Sequence, residues 1–437
     1  FAPVSRLETF RLLISLAAQN NWKLFQMDVK SAFLNGVLKE EVYIDQPPGF
    51  VKKGQEDKVY KLKKALYGLK QSPRAWYSRI NSYFMKYGFH KCPYEHTLYV
   101  KSDSQGSFMV VSLYVDDLIF TGNNEKMLKE FKHSMMAEFE MTDLGELHHF
   151  LGIEVHQSKK GTFISQESYA KDVLKKFKME NANPVSTPCI TGLKLSKEGE
   201  GKLINPTLFR SLVGNLMYLT TTRPDIVYAV SLVCRFMEKP YSNHWEAAKR
   251  ILRYIKGTVD HGIFYEANVP VNLVGYTDSD LAGSVDDSRS TSGYVFHLGT
   301  GAISWSSKKQ SIVSLSTTEA EYIAAAYAGC QLVWLRGILE SLKQKQNQST
   351  ILFCDNRSTI SVTKDPVLHG RTKHIRIRYH FLRELVSEGE IQVKYCKTED
   401  QRADIFTKPL SAQVFKKGAE NLGVRSKFNL REALLEN

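Results

Sequence analysis

Two adjacent carboxylates, Asp116 and Asp117, stand between the apolar runs 108–115 and 118–121. Those runs read as the arms of a β-hairpin with the acids at its tip. Asp is at home in such a tip. Here, however, the turn lacks Gly and both arms are strongly apolar, so the paired charge would be costly to bury without a partner. A divalent cation would offset it. Asp28 repeats the pattern at the end of a strand candidate, 22–28. Alone, it also fits an N-cap for the helix-like stretch from about Ser31. If the two strands are neighbours, Asp28, Asp116 and Asp117 form a three-carboxylate cluster. Such a cluster holds two divalent cations about 3.5–4 Å apart, activating a 3′-hydroxyl and stabilising the leaving pyrophosphate.

Four further acids stand at element ends or interrupt elements. Asp278 lies in a strand candidate, 271–278, and Glu321 lies early in a long helix candidate, 317–342. Asp355 ends a strand candidate, 350–355, and Asp404 lies in a short helix near 401–407. Each has a plain alternative. Asp355 could cap a helix, Glu319 or Glu321 could favour a helix N-terminus, and Asp404 could be a surface acid. Asp278 is harder to set aside, because it interrupts a strand that should pack in a sheet.

The elements that must position these groups fall into regions. Residues 58–86 carry eight Lys or Arg and no acid, interleaved with Tyr60, Tyr67, Trp76, Tyr77, Tyr83 and Phe84. Basic groups track phosphates and aromatics stack on bases. Tyr60, Tyr83 and Phe84 are expected in the core, and Lys70, Gln71 and Arg74 in contact with nucleic acid or nucleotide. Residues 183–188 and 196–202 read as a linker, and 207–257 is mainly helical. From about 271 the order β-β-β-α-β-α-β-α describes a compact α/β domain, with strands at 271–278, 293–298, 302–306, 350–355 and 391–396 and a helix near 371–388.

Composition bounds the rest. The 437 residues are 43% apolar and 24% charged, with a net charge of +13. That length suits two to four domains, and that charge suits a polyanionic partner. Six well-separated cysteines include no C-x-x-C, so reduced, intracellular thiols are expected, with no zinc or disulfide framework. No uninterrupted apolar run reaches membrane-spanning length, so no membrane partner is expected. The chain opens at Phe1 without an initiator Met, as a fragment or processed product would.

At these motifs the chain resembles the Pol polyprotein of copia-type LTR retrotransposons, through essentially its whole length. Asp28 in MDVKSAFLNG falls on that family's first palm carboxylate, and Asp116 and Asp117 on its YVDD box. Residues 64–76, KALYGLKQSPRAW, are close to the signature between them. Residues 145–147 and 150–154 resemble later palm strands. Asp278, Glu321, Asp355 and Asp404 resemble the D-E-D-D set of RNase H. The resemblance implies an α+β palm/fingers polymerase domain with a helical thumb/connection, followed by an α/β RNase H-like domain. The expected boundaries are 1–185, 186–270 and 271–411, with a C-terminal tail at 412–437.

It also implies an RNA-directed DNA polymerase and ribonuclease H, with all seven carboxylates catalytic and metal-binding. Two Mg2+ per active site are expected, Mn2+ being the alternative. Phe33 falls on the position that packs against the sugar and rejects a 2′-hydroxyl. The implied partners are RNA template, DNA primer, RNA–DNA hybrid and dNTPs, with other Pol or capsid components in the parent element. A cytoplasmic particle or the nucleus is the expected setting. The family's domain normally begins earlier, with a basic fingers segment, so N-terminal truncation is expected. The alternative is a catalytically impaired nucleic-acid-binding remnant. The loop 396–400 lacks the His that many cellular RNases H carry before the last Asp. His374 and His380 precede it, each as readily a core or surface residue as a functional one.

Overall fold

The computed structural model describes residues 2–364, 381–430 and 433–434. They divide into two compact units, residues 1–10 with 22–147 and residues 11–21 with 148–437. Helix α1 (Leu7–Gln19) contributes residues to both.

The first unit contains, in order, β1 (Phe25–Val29), β2 (Tyr43–Ile44), β3 (Tyr60–Lys61), α2 (Ser72–Lys86), β4 (His90–Lys91), β5 (Leu98–Ser102), β6 (Phe108–Tyr114), β7 (Asp117–Gly122), α3 (Glu125–Glu138) and β8 (Met141–Glu146). Its main sheet runs β4-β5-β6-β7-β1-β8, so β1 lies between the hairpin's second arm and β8, antiparallel to both. β6 is buried at every position from Phe108 to Leu113, which is why its sequence is apolar everywhere but Ser112 and does not alternate. Trp76, Ile80, Tyr83 and Phe84 recur at helical spacing along α2 and pack with Phe131 and Met135 of α3 over Met109, Val111 and Phe120.

Two local expectations change. The helix-like stretch after Asp28 is only a four-residue 3-10 turn, Ala32–Asn35, because Ser31 before it is left-handed (φ 50°) and Gly36 after it is extended. Tyr83 and Phe84 are core residues as expected, but Tyr60 is 50% exposed. It lies on the two-residue ribbon β2–β3, which is too short to build an apolar face.

The second unit begins with β9 (His149–Phe150), β10 (Ile153–Ser158), β11 (Gly161–Ser165), α4 (Glu167–Lys176), α5 (Pro206–Leu219), α6 (Val227–Val233), α7 (Ser242–Lys256) and β12 (His261–Glu266). It continues with β13 (Leu273–Ser279), β14 (Thr291–Leu298), β15 (Gly301–Lys309), α8 (Thr317–Ser341), β16 (Thr350–Cys354), α9 (Arg357–Lys364), α10 (Phe381–Ser387), β17 (Ile391–Tyr395), α11 (Ala412–Asn421) and β18 (Val424–Ser426). The rest of the helix expected near 371–388, with His374 and His380, lies outside the described residues.

One sheet runs β18-β12-β11-β10-β9 and the other β15-β14-β13-β16-β17. In the second sheet β13, β14 and β15 are antiparallel, while β13, β16 and β17 are parallel. That is a mixed sheet, as the resemblance to RNase H implies. The two stretches that resemble later palm strands separate. β8 pairs with β1, whereas β10 joins the first sheet of this unit, because β11 beside it pairs with β12 from Gly161↔Glu266 to Ser165↔Gly262. The segment after residue 411 supplies α11 and the edge strand β18.

Helices α5, α6 and α7 share one core with this second sheet, where Leu216, Val230 and Ile251 meet Val295, Ala302 and Phe406. Arg223 and Asp225 are buried together beside them. Arg223 Nη2 donates to Asp225 Oδ2 at 2.7 Å, and Tyr254 Oη donates to the same oxygen at 2.7 Å. α8 is long and apolar enough to cross a bilayer by length and composition, but 67% of that stretch is buried in the fold, which makes it a core helix here.

Candidate active sites

In the first unit the hairpin register decides which carboxylates meet. Tyr114 pairs with Asp117, leaving Val115 and Asp116 as the tip. Asp117 in turn faces Asp28 directly across β1 and β7. Asp28 is therefore a strand residue and not a helix cap. The tip is held in an unusual state. Val115 has φ 56°, a left-handed conformation that strains a β-branched residue. The buried Trp76 indole donates to Val115 O at 2.6 Å, and Val29 N donates to Asp116 O at 3.0 Å. These bonds hold the backbone that carries Asp116.

Burial, then the Asp116 charge, raises the Asp28 carboxyl above its ordinary value. Burial also raises Asp117, against the Gln26 amide, which donates to Asp117 Oδ1 at 3.0 Å. Phe33 is half-buried on the 3-10 turn. Lys70 and Arg74 are exposed and Gln71 half-buried, all at the N-terminal end of α2. Arg79 is tied to Glu138 and Lys61 to Glu41, on either side of these three residues in the sequence. Tyr67 and Trp76, both in the signature segment 64–76, and Gln26 of the strand bearing Asp28 are further neighbours of this site.

In the second unit four separate segments deliver the tetrad. Asp278 comes from β13, Glu321 from the second turn of α8, Asp355 from the residue after β16, and Asp404 from the 3-10 turn Asp404–Phe406. The capping alternatives resolve on hydrogen bonds. Asn356 Oδ1 accepts from Thr359 N at 3.0 Å and caps α9, leaving Asp355 to the cluster. Ser316 caps α8, while Glu319 reaches back to Leu315 N at 2.8 Å, leaving Glu321 for the site. Asp404 is not a surface acid but buried. Gln401 fixes its loop by donating to Thr277 O at 2.9 Å on β13. Gly293 lets that loop close down, because a Cβ there would lie 2.8 Å from Phe406 and Thr407 side-chain carbons.

Ligand oxygens of Asp278, Asp355 and Asp404 all lie within 4.8 Å of one another, and a second set joins Glu321, Cys354 and Asp355. Asp28, Asp116 and Asp117 do not form such a group among the described residues. The all-oxygen set of Asp278, Asp355 and Asp404 suits a hard divalent cation, whereas the second set includes the Cys354 sulfur. Burial and then Asp278 raise Glu321, Asp355 and Asp404 above their ordinary values, Glu321 most strongly. Ser279 N donates to Glu321 Oε1 at 3.1 Å and Thr398 Oγ1 to Asp355 Oδ2 at 3.2 Å. Lys408 places Nζ 3.0 Å from Asp404 and 3.5 Å from Asp278, and the Thr407 hydroxyl donates to Asp278. Sequence position alone did not mark either residue. Asp280, also in this region, accepts from Thr291 N, and burial pushes it up to about 6.

Residues 1–191 match the family model described as "Reverse transcriptase (RNA-dependent DNA polymerase)". The chain is 41% identical over 424 residues to the retrovirus-related Pol polyprotein from transposon RE2 of Arabidopsis thaliana, covering 97% of this chain and 29% of that protein. It thus spans under a third of that relative's length. It is 36% identical over 303 residues to the putative transposon Ty5-1 protein YCL074W of Saccharomyces cerevisiae, covering 69% of this chain and 98% of that one. Among solved structures, LC11-RNase H1 aligns with 34% of this chain and 98% of its own at 18% identity and a TM-score of 0.24.

Proposed function

The chain belongs to the reverse-transcriptase family of copia-type retrotransposon Pol polyproteins, and from that premise we propose that it copies RNA into DNA and cuts the RNA strand of the resulting hybrid. Asp28, Asp116 and Asp117 are the residues that would hold divalent cations in the first unit, and Asp278, Glu321, Asp355 and Asp404 in the second. When bound, Mg2+, with Mn2+ as the alternative, supplies charge stabilisation at the attacking and departing oxygens of phosphoryl transfer.

The rest falls to the chain's own side chains. Lys70, Gln71 and Arg74 lie at the start of α2, where helix N–H groups also favour an anion, and they bind the phosphates of nucleotide or template. Phe33 lies against the sugar and turns away a 2′-hydroxyl. Trp76 and Gln26 keep the tip and Asp117 in place. Around the tetrad, Thr407 and Lys408 orient Asp278 while Thr398 orients Asp355. RNA template, DNA primer, hybrid and dNTPs are the proposed partners, with further Pol or capsid components in a parent polyprotein.

The observation that carries this reading is the convergence of ligand oxygens from β13, the residue after β16 and the turn at Asp404 within 4.8 Å. The test is one reaction containing labelled RNA template, DNA primer, dNTPs and Mg2+. Asp355→Asn is expected to abolish RNA cutting and keep primer extension, and Asp116→Asn to do the reverse. Cutting by Asp355→Asn at the wild-type rate would remove the tetrad assignment, and undiminished extension by Asp116→Asn would remove the palm assignment.

A further inference from the structure

We propose that Tyr67 is the positioning residue that holds Phe33 in place as the sugar-selecting wall of the first site; this rests on the polymerase reading above. Phe33 sits in a four-residue 3-10 turn just after the strand that bears Asp28. A turn that short has few hydrogen bonds of its own with which to fix a side chain. The support comes from the segment carrying Tyr67. Leu38 N donates to Lys63 O at 3.2 Å, Ala65 N donates to Gly36 O at 2.9 Å, and Val37 bridges Lys64 in antiparallel fashion. Gly36 is pressed so close to α2 that a Cβ would lie 2.7 Å from Trp76 N. Turn, crossing segment and helix are therefore tied at successive points.

Tyr67 is the side chain this arrangement delivers to Phe33. The ring centroids are 4.4 Å apart at a 43° tilt. Tyr67 is 56% exposed, so it is not consumed by the core. One aromatic thus stands against the residue expected to read the sugar, on the turn that follows the strand bearing Asp28. A phenyl ring braced on one flank gives up rotamer freedom it would otherwise keep. That loss of freedom is what separating a hydrogen from a hydroxyl at C2′ requires.

The test is steady-state primer extension by the full chain, with kcat and KM measured separately for a dNTP and the matching rNTP. Tyr67→Ala is expected to lower the deoxy-over-ribo preference by about three- to tenfold, the range of one aromatic pair, mainly through a lower KM for the ribonucleotide. Tyr67→Phe is expected to restore most of the ratio, since the ring is what meets Phe33 and the hydroxyl reaches only the Ala32 backbone beside it. Tyr67→Leu, which keeps bulk at an exposed position, is expected to fall between them. Phe33→Ala should lower the preference further, with no additional loss in the Phe33→Ala/Tyr67→Ala double variant. An unchanged ratio in Tyr67→Ala, or additive losses in the double variant, would overturn the inference alone. Absence of any extension by the wild-type chain would overturn the polymerase reading and the inference with it.

Discussion

Three carboxylates of the first unit stand half-buried on a hairpin tip and its neighbouring strand, whereas the four of the second are delivered by separate segments into a largely buried site. The first set is arranged by strand register, Asp28 opposite Asp117, with a strained tip residue and one indole holding Asp116 in place. The second set is drawn together by caps that release Asp355 and Glu321, a glutamine that pins the last loop, and a lysine among the acids. Burial is what separates them. Where water reaches the acids, repulsion is screened and the site can stay open until a substrate completes it. Where water is excluded, repulsion is met by proton uptake, by Lys408 or by a cation.

Glu321→Gln breaks the comparison most strongly. Hybrid cutting is expected to fall on the order of a thousandfold, as for loss of one preorganised group, with primer extension unaffected. The same variant tests the electrostatics. A carboxyl raised in the folded state gives stability that is present below its unfolded value, roughly 4.3 for Glu, and is lost as the pH rises through the folded value. In chelator, the wild-type chain should therefore melt more easily in denaturant at pH 8 than at pH 5. Glu321→Gln should flatten that slope, and a slope identical to wild type would contradict the assignment.

Arg223 and Asp225 sharpen the contrast, because this buried charge pair is complete within the protein. Burial opposes the charge on Asp225, but the Arg223 guanidinium prevails and holds its carboxyl below the usual range. Its contribution runs the other way, present above the unfolded value and lost as the pH falls through the folded one. Asp225→Asn should cost about 3–5 kcal/mol of stability, the scale for breaking a buried pair, measured by denaturant melts at pH 7. A cost under about 1 kcal/mol would show the pair to be dispensable.

The smallest effect belongs to the open site. Trp76→Phe removes the donor to Val115 O and keeps most of the ring. Primer extension should drop about fivefold, the worth of roughly one hydrogen bond, while hybrid cutting stays the same. An equal fall in both would point to general destabilisation.

The sequence made the carboxylates legible where they broke a local pattern. Asp278 interrupts an apolar strand, Asp116 and Asp117 sit between two continuous apolar runs, and the run 108–115 read correctly as a strand because β6 is buried on both faces. The hairpin and the mixed sheet near 271–396 followed from period and order. What escaped depended on distant partners. Tyr60 carries the same aromatic signal as Tyr83 yet lies on a two-residue ribbon with no face to bury. Residues 153–158 look like more of the first sheet, and only the pairing of Gly161–Ser165 with a strand about a hundred residues later takes them into the other unit. Thr407 and Lys408 follow Asp404 in a stretch without periodicity, and their role is visible only once the loop closes on β13.

The most direct measurement is Mn2+ binding by calorimetry to the full chain without nucleic acid. A preassembled tetrad in one unit and an open trio in the other predict a saturable binding event that Asp355→Asn removes and Asp116→Asn leaves intact. Binding that survives in Asp355→Asn, or disappears in Asp116→Asn, would contradict it.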